Sequence, residues 1–175
     1  MRSFQISATF PHLTVLENVR IGLQRELGTS FHFWKSERSL EKLHARALEL
    51  LETVGLREYA NTVTVELPYG RKRALEIATT LAMEPKLMLL DEPTQGMGAE
   101  DVDMVTDLIK KVAANRTILM VEHNMGVVGK IADTITVLQF GEVIAEGPYE
   151  QVSHNPQVLE AYMGSSDTEL QGAHG

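Results

Sequence analysis

Two carboxylates stand directly after a short apolar run, since Leu87-Met88-Leu89-Leu90 precedes Asp91 and Glu92. Such a run predicts a strand of a parallel sheet, and open α/β sheets bind their ligands at the carboxyl ends of these strands. Asp91 could give an oxygen ligand to Mg²⁺, and Glu92 could orient or deprotonate a water that attacks a phosphate. Acidic pairs at this position also cap the following helix, so the pattern alone favours neither interpretation.

A second group lies at the predicted start of a helix, Leu67-Pro68-Tyr69-Gly70-Arg71-Lys72-Arg73. Gly70 lets a ligand approach the backbone closely, the first amides of the helix point outward, and cations follow at once. These features together predict an anion-binding site. A helix started by a proline, with a solvated basic turn, explains the same residues without a ligand and is the simpler interpretation of this segment in isolation.

A histidine and a glutamine complete the candidate residues. His123 follows a further apolar run, Leu119-Met120-Val121, and then Glu122. A histidine at this position is usually a hydrogen-bonded structural group, but it also falls at the sheet edge that we expect Asp91 and Glu92 to occupy. A histidine at this position could respond to a terminal phosphate. Gln5 carries an amide that could contact a metal ion or a water, although its neighbours in sequence do not single it out.

The elements that must position these residues alternate between helix and strand after Pro68. Buried apolar strands that alternate with helices are typical of a parallel sheet covered on both faces, so this part is predicted to be α/β. The predicted elements are a helix from about Gly70 to Ala82, a strand over Lys86–Leu90, a helix with inward residues from Val102 to Val112, buried strands over Thr117–Val121 and Thr134–Leu138, and a hairpin partner over Val143–Ala145 across Gly141.

The first part of the chain, residues 1–66, is predicted to be mainly helical. Apolar residues fall at helical spacing from Leu13 to about Leu27, after Pro11, which suits a helix start. A second amphipathic helix carries an apolar stripe from Leu40 to Val54 and ends at Gly55, a good carboxy-terminal cap. We therefore expect a helical region in front of the α/β region.

The composition excludes several classes of function. The 175 residues are enough for about one domain and contain no cysteine, so disulfide frames, thiolate nucleophiles and cysteine metal sites are ruled out. A net charge of -8 makes the chain a poor electrostatic partner for nucleic acid. The apolar runs are far shorter than the roughly 20 residues that span a bilayer, and the first residues do not form a signal peptide. We expect a cytoplasmic protein without a membrane span.

These groups, in this order, resemble the motifs of the ATP-binding cassette (ABC) family, the nucleotide-driven subunits of membrane transporters. The resemblance identifies Gln5 with the glutamine loop, Leu67–Arg71 with the signature segment and Leu87–Asp91 with the Walker B strand. Thr94–Glu100 then contains the D-loop, and His123 is the switch histidine. The likeness runs from Phe4 to about Gly164. It implies a P-loop NTPase-like parallel-sheet core, here incomplete, with a helical subdomain.

The resemblance also implies roles for individual residues. Glu92 and His123 would be catalytic, and Asp91 and Gln5 would contact Mg²⁺. ATP would be contacted by Gln5, Pro68, Tyr69, Gly70, Arg71 and Asp91. In such a motor ATP lies between two cassettes, so the implied partners are a second cassette subunit and the transmembrane permease subunits. The implied location is the inner face of the plasma membrane, reached through the permease and not through a span of this chain.

A narrower likeness is to the ATP-binding subunits of branched-chain amino-acid importers. It is carried by Phe10–Val19, by Arg73–Ala78 and by Asn155–Gly164, the last of which is typical of the subgroup. The implied organisation has three parts: the glutamine loop and helical subdomain in 1–66, the signature helix, Walker B strand and switch in 67–148, and an importer-type carboxy-terminal segment with the tail in 149–175.

The sequence departs from the family in two respects. It contains no Gly-x-x-x-x-Gly-Lys-Ser/Thr loop, which holds the phosphates in a cassette. Pro68 stands where a serine is usual, and Tyr69 and Arg71 replace a typical glycine and glutamine. We therefore expect a fragment that does not hydrolyse ATP alone, and whose missing central strand leaves a sheet edge and apolar surface exposed, with poor solubility or association as the result.

Two rival functions remain open from the sequence. The first is a non-catalytic interaction module derived from a cassette, in which the helical part binds a partner and nucleotide is irrelevant. The second is an ABC ATPase of DNA maintenance, which the acidic charge and the importer-like carboxy-terminal segment argue against.

Overall fold

The computed structural model describes residues 9–26 and 37–162. It divides into two compact units, Met1–Glu122 and His123–Gly175. The three-part organisation inferred from the sequence remains a prediction. In the part of the chain that the structure describes, no helix is long and apolar enough to cross a membrane.

The first unit consists of helices followed by a parallel pair of strands. Helix α1 packs against α2 and α3, and α3 packs against α4. Each helix buries one apolar stripe, as the helical spacing predicts. The elements are α1 (Val15–Glu26), α2 (Glu37–Thr53), short 3-10 turns at Arg57–Tyr59 and Thr64–Glu66, α3 (Tyr69–Leu81), β1 (Leu87–Asp91), α4 (Ala99–Ala113) and β2 (Thr117–Val121).

Local signals determine the start of α1 and the end of α2. Thr14 donates from its amide and its hydroxyl to Glu17, whose own amide donates to Thr14 Oγ1, which forms a capping box at the start of α1. The hydrogen bonds from Thr14 lower the pKa of Glu17. At the end of α2, Gly55 has φ +71, and Leu56 N donates to Leu51 O at 2.7 Å. The predicted glycine cap is confirmed.

Strands β1 and β2 pair in parallel, with Leu87 opposite Thr117 and Asp91 opposite Val121. Both strands were predicted, and the parallel pairing is confirmed. The prediction that β2 is buried is wrong, because Leu119 and Val121 are 61% and 60% exposed. Within the described residues this sheet has two strands, so β2 is an edge strand with incomplete cover. The predicted exposure of a sheet edge is therefore seen in this unit.

The second unit contains the predicted hairpin. Strand β3 pairs with β4 in antiparallel orientation, and Gly141 has φ +87 in the turn between them. Phe140 in this turn is fully exposed, and Leu138 and Val143 are also exposed. The prediction that the strand over Thr134–Leu138 is buried is therefore wrong, since Ile135 is the only buried residue of β3. Residues 156–162 are helical. The named elements of this unit are α5 (Met125–Ile131), β3 (Ile135–Gln139), β4 (Glu142–Gly147) and α6 (Tyr149–Ser153).

Candidate functional site

Asp91 is the last residue of β1, and Glu92 is the first residue beyond it. Both residues are partly buried. The amide of Glu92 donates to Val121 O at 2.9 Å, which extends the parallel pairing of β1 and β2 by one bond. The two carboxylates therefore stand at the carboxyl end of a strand, as the apolar run predicts, with their backbone tied to the neighbouring strand.

The backbone of Glu92 has an unusual conformation, with φ at +43. For a residue with a side chain, this left-handed region costs on the order of 1 to 2 kcal/mol, and the surroundings must hold the residue there. Strained residues cluster at active sites, ligand clamps and switch regions, and in this chain Glu84 and Phe140 also have positive φ. The sequence gives no sign of this, because Glu92 is followed by proline, which favours extended backbone at the preceding residue.

Arg73, on α3, supplies part of that restraint. Its Nε donates to Pro93 O at 3.1 Å, and one terminal nitrogen donates to Glu92 O at 3.0 Å, with a longer contact of 3.5 Å to Asp91 O. The other terminal nitrogen donates to Glu76 Oε2 at 2.7 Å. Helix α3 thus contacts the backbone of the acidic pair directly.

Thr94 and Glu122 form a second connection at this edge. Glu122 Oε1 accepts from the amide of Thr94 at 3.2 Å and also from its hydroxyl. Thr94 is buried, and Glu122 directly follows β2. The turn after β1 is therefore held from two sides, by Arg73 on α3 and by Glu122 at the end of β2.

The predicted anion-binding segment lies at the start of α3. Pro68 precedes the helix and makes no side-chain cap, as expected of a proline. Tyr69 is exposed, whereas Gly70 is buried against α4, where an added Cβ would lie 2.5 Å from Asp101 Oδ1. Gly70 therefore allows the close packing of two helices, a reason that the sequence did not reveal.

Arg71 has a partner of its own. Its guanidinium lies over the ring of Tyr59, 4.3 Å from the centroid, which is a cation–π arrangement. The ring keeps this positive charge near the amino terminus of α3. Arg71 is thus held at the end of the helix where an anion is favoured by the helix dipole.

His123 follows β2 by two residues and is exposed. Directly after it, Asn124 caps α5, because its Oδ1 accepts from the amides of Gly126 and Val127. His123 opens the second unit, whereas Asp91 and Glu92 belong to the first. Their convergence at one site remains a prediction. Gln5 lies outside the described residues.

Sequence reasoning missed the residues that hold the acidic pair in place. Arg73, Thr94 and Glu122 all lie in or beside the predicted motifs, but their residue types alone do not specify their partners. The basic character of Arg73 suggested a solvated or phosphate-facing cation, and the structure instead places it on three backbone carbonyls and a carboxylate.

Two protein-family models match the sequence. The model described as "ABC transporter" matches residues 2–95, and the model described as "Branched-chain amino acid ATP-binding cassette transporter" matches residues 142–168. The first covers more than half of the chain, and it includes the predicted signature segment and the acidic pair. The second contains Asn155–Gly164, on which the narrower likeness rests.

Curated relatives agree with these matches. The chain is 36% identical to the high-affinity branched-chain amino acid transport ATP-binding protein BraF of Pseudomonas aeruginosa and 35% identical to LivG of Escherichia coli, covering 95% of this chain and 68% of each relative. It is 40% identical to the arginine transport ATP-binding protein ArgV of Corynebacterium glutamicum, over 88% of this chain and 58% of that protein.

Solved structures show the same fold. The ADP conformation of MJ1267, an ATP-binding cassette of an ABC transporter, superimposes with a TM-score of 0.71 at 26% identity, over 88% of this chain and 64% of that chain. The cassette MJ0796, in a dimeric post-hydrolysis state bound to ADP and Pi, gives a TM-score of 0.64 at 30% identity, over 83% and 61%. The chain thus spans about two thirds of the proteins that it matches.

Proposed function

The chain belongs to the ABC transporter family, and from that premise we propose that it is part of the ATP-binding and ATP-hydrolysing subunit of an importer for branched-chain or other hydrophobic amino acids. The names of BraF and LivG and the match of residues 142–168 support this class of cargo. ArgV, at similar identity, is named for arginine transport, so the support for the cargo is weaker than the support for the motor.

One observation carries the proposal, namely the restrained acidic pair at the end of β1. Glu92 is held in a strained conformation by a bond to β2, and Arg73 on α3 binds its carbonyl oxygen. Strain that several elements maintain together is typical of catalytic positions. A pair of carboxylates that only capped the next helix would not require it, because α4 begins at Ala99 and has Gly98 at its cap position.

Asp91 and Glu92 have different roles in the proposed reaction. Asp91 offers one carboxylate to Mg²⁺, which commonly takes one or two protein carboxylates and completes its shell with water and phosphate oxygens, so the residue type fits this ion. The ion, when bound, neutralises charge on the phosphates. Glu92 orients the attacking water or accepts a proton from it. Gln5 is assigned to the same ion on the family resemblance.

The remaining residues would contact ATP bound between two cassettes. Pro68, Tyr69, Gly70 and Arg71 present the amino terminus of α3 to a phosphate held by the partner cassette, with Arg71 kept nearby by Tyr59. His123 is assigned to the terminal phosphate. The sequence contains no Gly-Lys-Ser/Thr loop, so residues 1–175 are not expected to hydrolyse ATP alone.

The partners follow from the same class of machine. We propose that the chain works with a second cassette subunit and with transmembrane permease subunits, on the inner face of the plasma membrane. The relatives are named as transport ATP-binding proteins, which supports this assembly and disfavours a role in DNA maintenance.

Steady-state ATP hydrolysis tests the role of Glu92. The test uses a chimera in which the part of BraF outside the matched region completes this chain, reconstituted with permease subunits. We expect Glu92→Gln to abolish most of the hydrolysis, because the amide cannot accept a proton. Retention of the parent rate would reject Glu92 as the principal catalytic carboxylate.

A matched control uses a glutamate outside the site. Glu58 is exposed and lies in a 3-10 turn, so Glu58→Gln removes the same charge without touching the acidic pair. It is expected to keep the parent rate. A chimera that neither binds nor hydrolyses ATP while remaining folded would favour the non-catalytic interaction module instead.

A further inference from the structure

We propose that Arg73 is a positioning residue for ATP hydrolysis, which fixes the backbone of Asp91, Glu92 and Pro93 and thereby aims the carboxylate of Glu92. The inference rests on the proposed function, because it assumes that Glu92 acts on the attacking water. Its structural part, the restraint of the acidic pair by α3, can be measured without any reaction.

The contacts of Arg73 converge on three consecutive residues. Its guanidinium donates to the carbonyl oxygens of Pro93 and Glu92 at 3.1 and 3.0 Å, and lies 3.5 Å from that of Asp91. These carbonyls bracket the Cα of Glu92 on both sides. A shift of the guanidinium would therefore move the point from which the Glu92 side chain projects.

Glu92 needs such a restraint because of its backbone conformation. With φ at +43, the residue has a conformation that residues with a side chain rarely adopt. Its carbonyl oxygen accepts from Gln95 N at 3.2 Å and from Arg73 at 3.0 Å. On its amino side, the bond from its amide to Val121 O holds it to β2. Arg73 binds on the carbonyl side, so the two contacts together hold the peptide units on either side of Glu92.

The chemistry of the contact requires an arginine. The planar guanidinium presents donors in a rigid fork, so one side chain can bind several carbonyls and a carboxylate at once. Glu76 sets the plane of that fork through a bond of 2.7 Å, and the pair is largely buried, with side chains 13% and 18% exposed. A lysine at this position has the same charge but cannot span these acceptors together.

Arg73 lies on α3, two residues after Arg71, the last residue of the predicted signature segment. The helix that would contact the phosphate of a partner cassette therefore also holds the acidic pair of its own chain. Displacement of α3 would be transmitted to Glu92 through bonds to the backbone. This predicts that loss of Arg73 impairs turnover more than it impairs nucleotide binding.

Amide hydrogen exchange on the purified chain tests the restraint. The amide of Glu92 donates to Val121, that of Thr94 to Glu122 and that of Gln95 to Glu92. In Arg73→Lys we expect these three amides to exchange about tenfold faster. The amides of Met88 and Leu90 inside β1 are expected to keep their rates. Unchanged exchange at all three turn amides in a folded variant would overturn the proposal.

Arg46→Lys is the matched control, since Arg46 also bonds a glutamate three residues later, and its other bond goes to Glu84 and not to the acidic pair. It is expected to leave the turn amides unaffected. Should Arg73→Lys fail to fold, Glu76→Gln provides a second test, because it keeps the guanidinium and loosens only its orientation. A smaller acceleration of exchange at the same turn amides is then expected. Unchanged exchange rates at these amides would contradict the proposal.

Kinetics of the BraF chimera test the functional part. We expect Arg73→Lys to lower kcat about tenfold to hundredfold, with KM for ATP within about twofold of the parent. A raised KM at unchanged kcat would overturn the positioning role in favour of direct ATP binding. If Glu92→Gln keeps full activity, the proposed function fails at Glu92, whereas unchanged exchange rates would show a failure of the Arg73 proposal itself.

Discussion

Helices α2 and α3 carry the same two side chains at the same spacing, an arginine followed by a glutamate one helical turn later. On α2, Arg46 bonds Glu49 at 3.0 Å, and their side chains are 47% and 64% exposed. On α3, Arg73 bonds Glu76 at 2.7 Å, and their side chains are only 13% and 18% exposed. The first pair extends into solvent, whereas the second lies against the acidic turn after β1.

The comparison shows that burial and additional partners, not the pair itself, decide what an arginine and a glutamate do. The bond to Glu49 raises the pKa of Arg46, and Glu84 adds to this, but both groups remain exposed to solvent. Exposed pairs of this kind stabilise a fold by less than about 1 kcal/mol. Arg73 also binds the backbone carbonyls of Glu92 and Pro93, so it holds the turn after β1, which lies outside both helices.

Removal of the glutamate should give the largest difference in stability between the pair on α3 and the pair on α2. Glu76→Ala leaves the largely buried guanidinium of Arg73 without this carboxylate, and we expect a loss of about 2 to 3 kcal/mol in the free energy of unfolding. Glu49→Ala is the matched control, with an expected loss below about 1 kcal/mol. Urea unfolding measures both, and equal losses would contradict the comparison.

Substitution of Gly70, at the start of α3, also tests the comparison of the two helices. Gly70→Ala would place a Cβ 2.5 Å from Asp101 Oδ1 and 3.0 Å from Asp101 Cβ, so we expect a loss of about 1.5 kcal/mol in stability. The second substitution Asp101→Ala removes the closest atoms and should recover most of it. Thermal unfolding of the single and double variants gives the coupling, and additive losses would reject the steric explanation.

The glycine after α2 should behave differently. Gly55 has φ +71 and no atom within 4 Å of an added Cβ, so Gly55→Ala introduces backbone strain without a clash. We expect a loss of about 1 kcal/mol. Gly55→Asn should lose less, because asparagine tolerates this conformation better than alanine. Equal losses for the two variants in urea unfolding would argue against strain as the cause.

The exposed pair on α2 gives the smallest effect. Arg46→Gln removes the bonds to Glu49 and Glu84, and we expect a change below about 0.5 kcal/mol at physiological ionic strength. The difference from the parent should shrink further in 1 M salt, where the Debye length is about 3 Å. Unfolding measured at two salt concentrations checks this, and a large, salt-independent loss would place the pair in the same class as Arg73–Glu76.

Much of the fold could be predicted from local patterns. The apolar stripes predicted α1, α2, α3 and α4, and short apolar runs predicted β1 and β2. The burial of β2 could not be judged in this way, because an apolar strand looks the same whether or not another element covers it. Leu119 and Val121 are apolar in sequence and mostly exposed in the structure.

The candidate site, too, could be predicted only in part. The position of Asp91 and Glu92 at the end of a strand follows from four apolar residues and two acids, which is local information. The restraints on this turn come from Arg73, which lies 18 to 20 residues from the carbonyls that it binds, and from Glu122, which lies 28 residues from Thr94. Side-chain type does not specify partners at that distance. Strain at Glu92 was likewise invisible, since the following proline predicts extended backbone.

By itself, the sequence determined which residues carry charge, which segments become helices or strands and where the carboxylates stand along β1, because these depend on residue type and short-range periodicity. Only the tertiary structure decided that Arg73 binds the carbonyls around Glu92 while Arg46 stays in solvent. The physical reason is that a hydrogen bond requires two groups to meet at about 3 Å, and packing of distant segments, not their composition, brings them there.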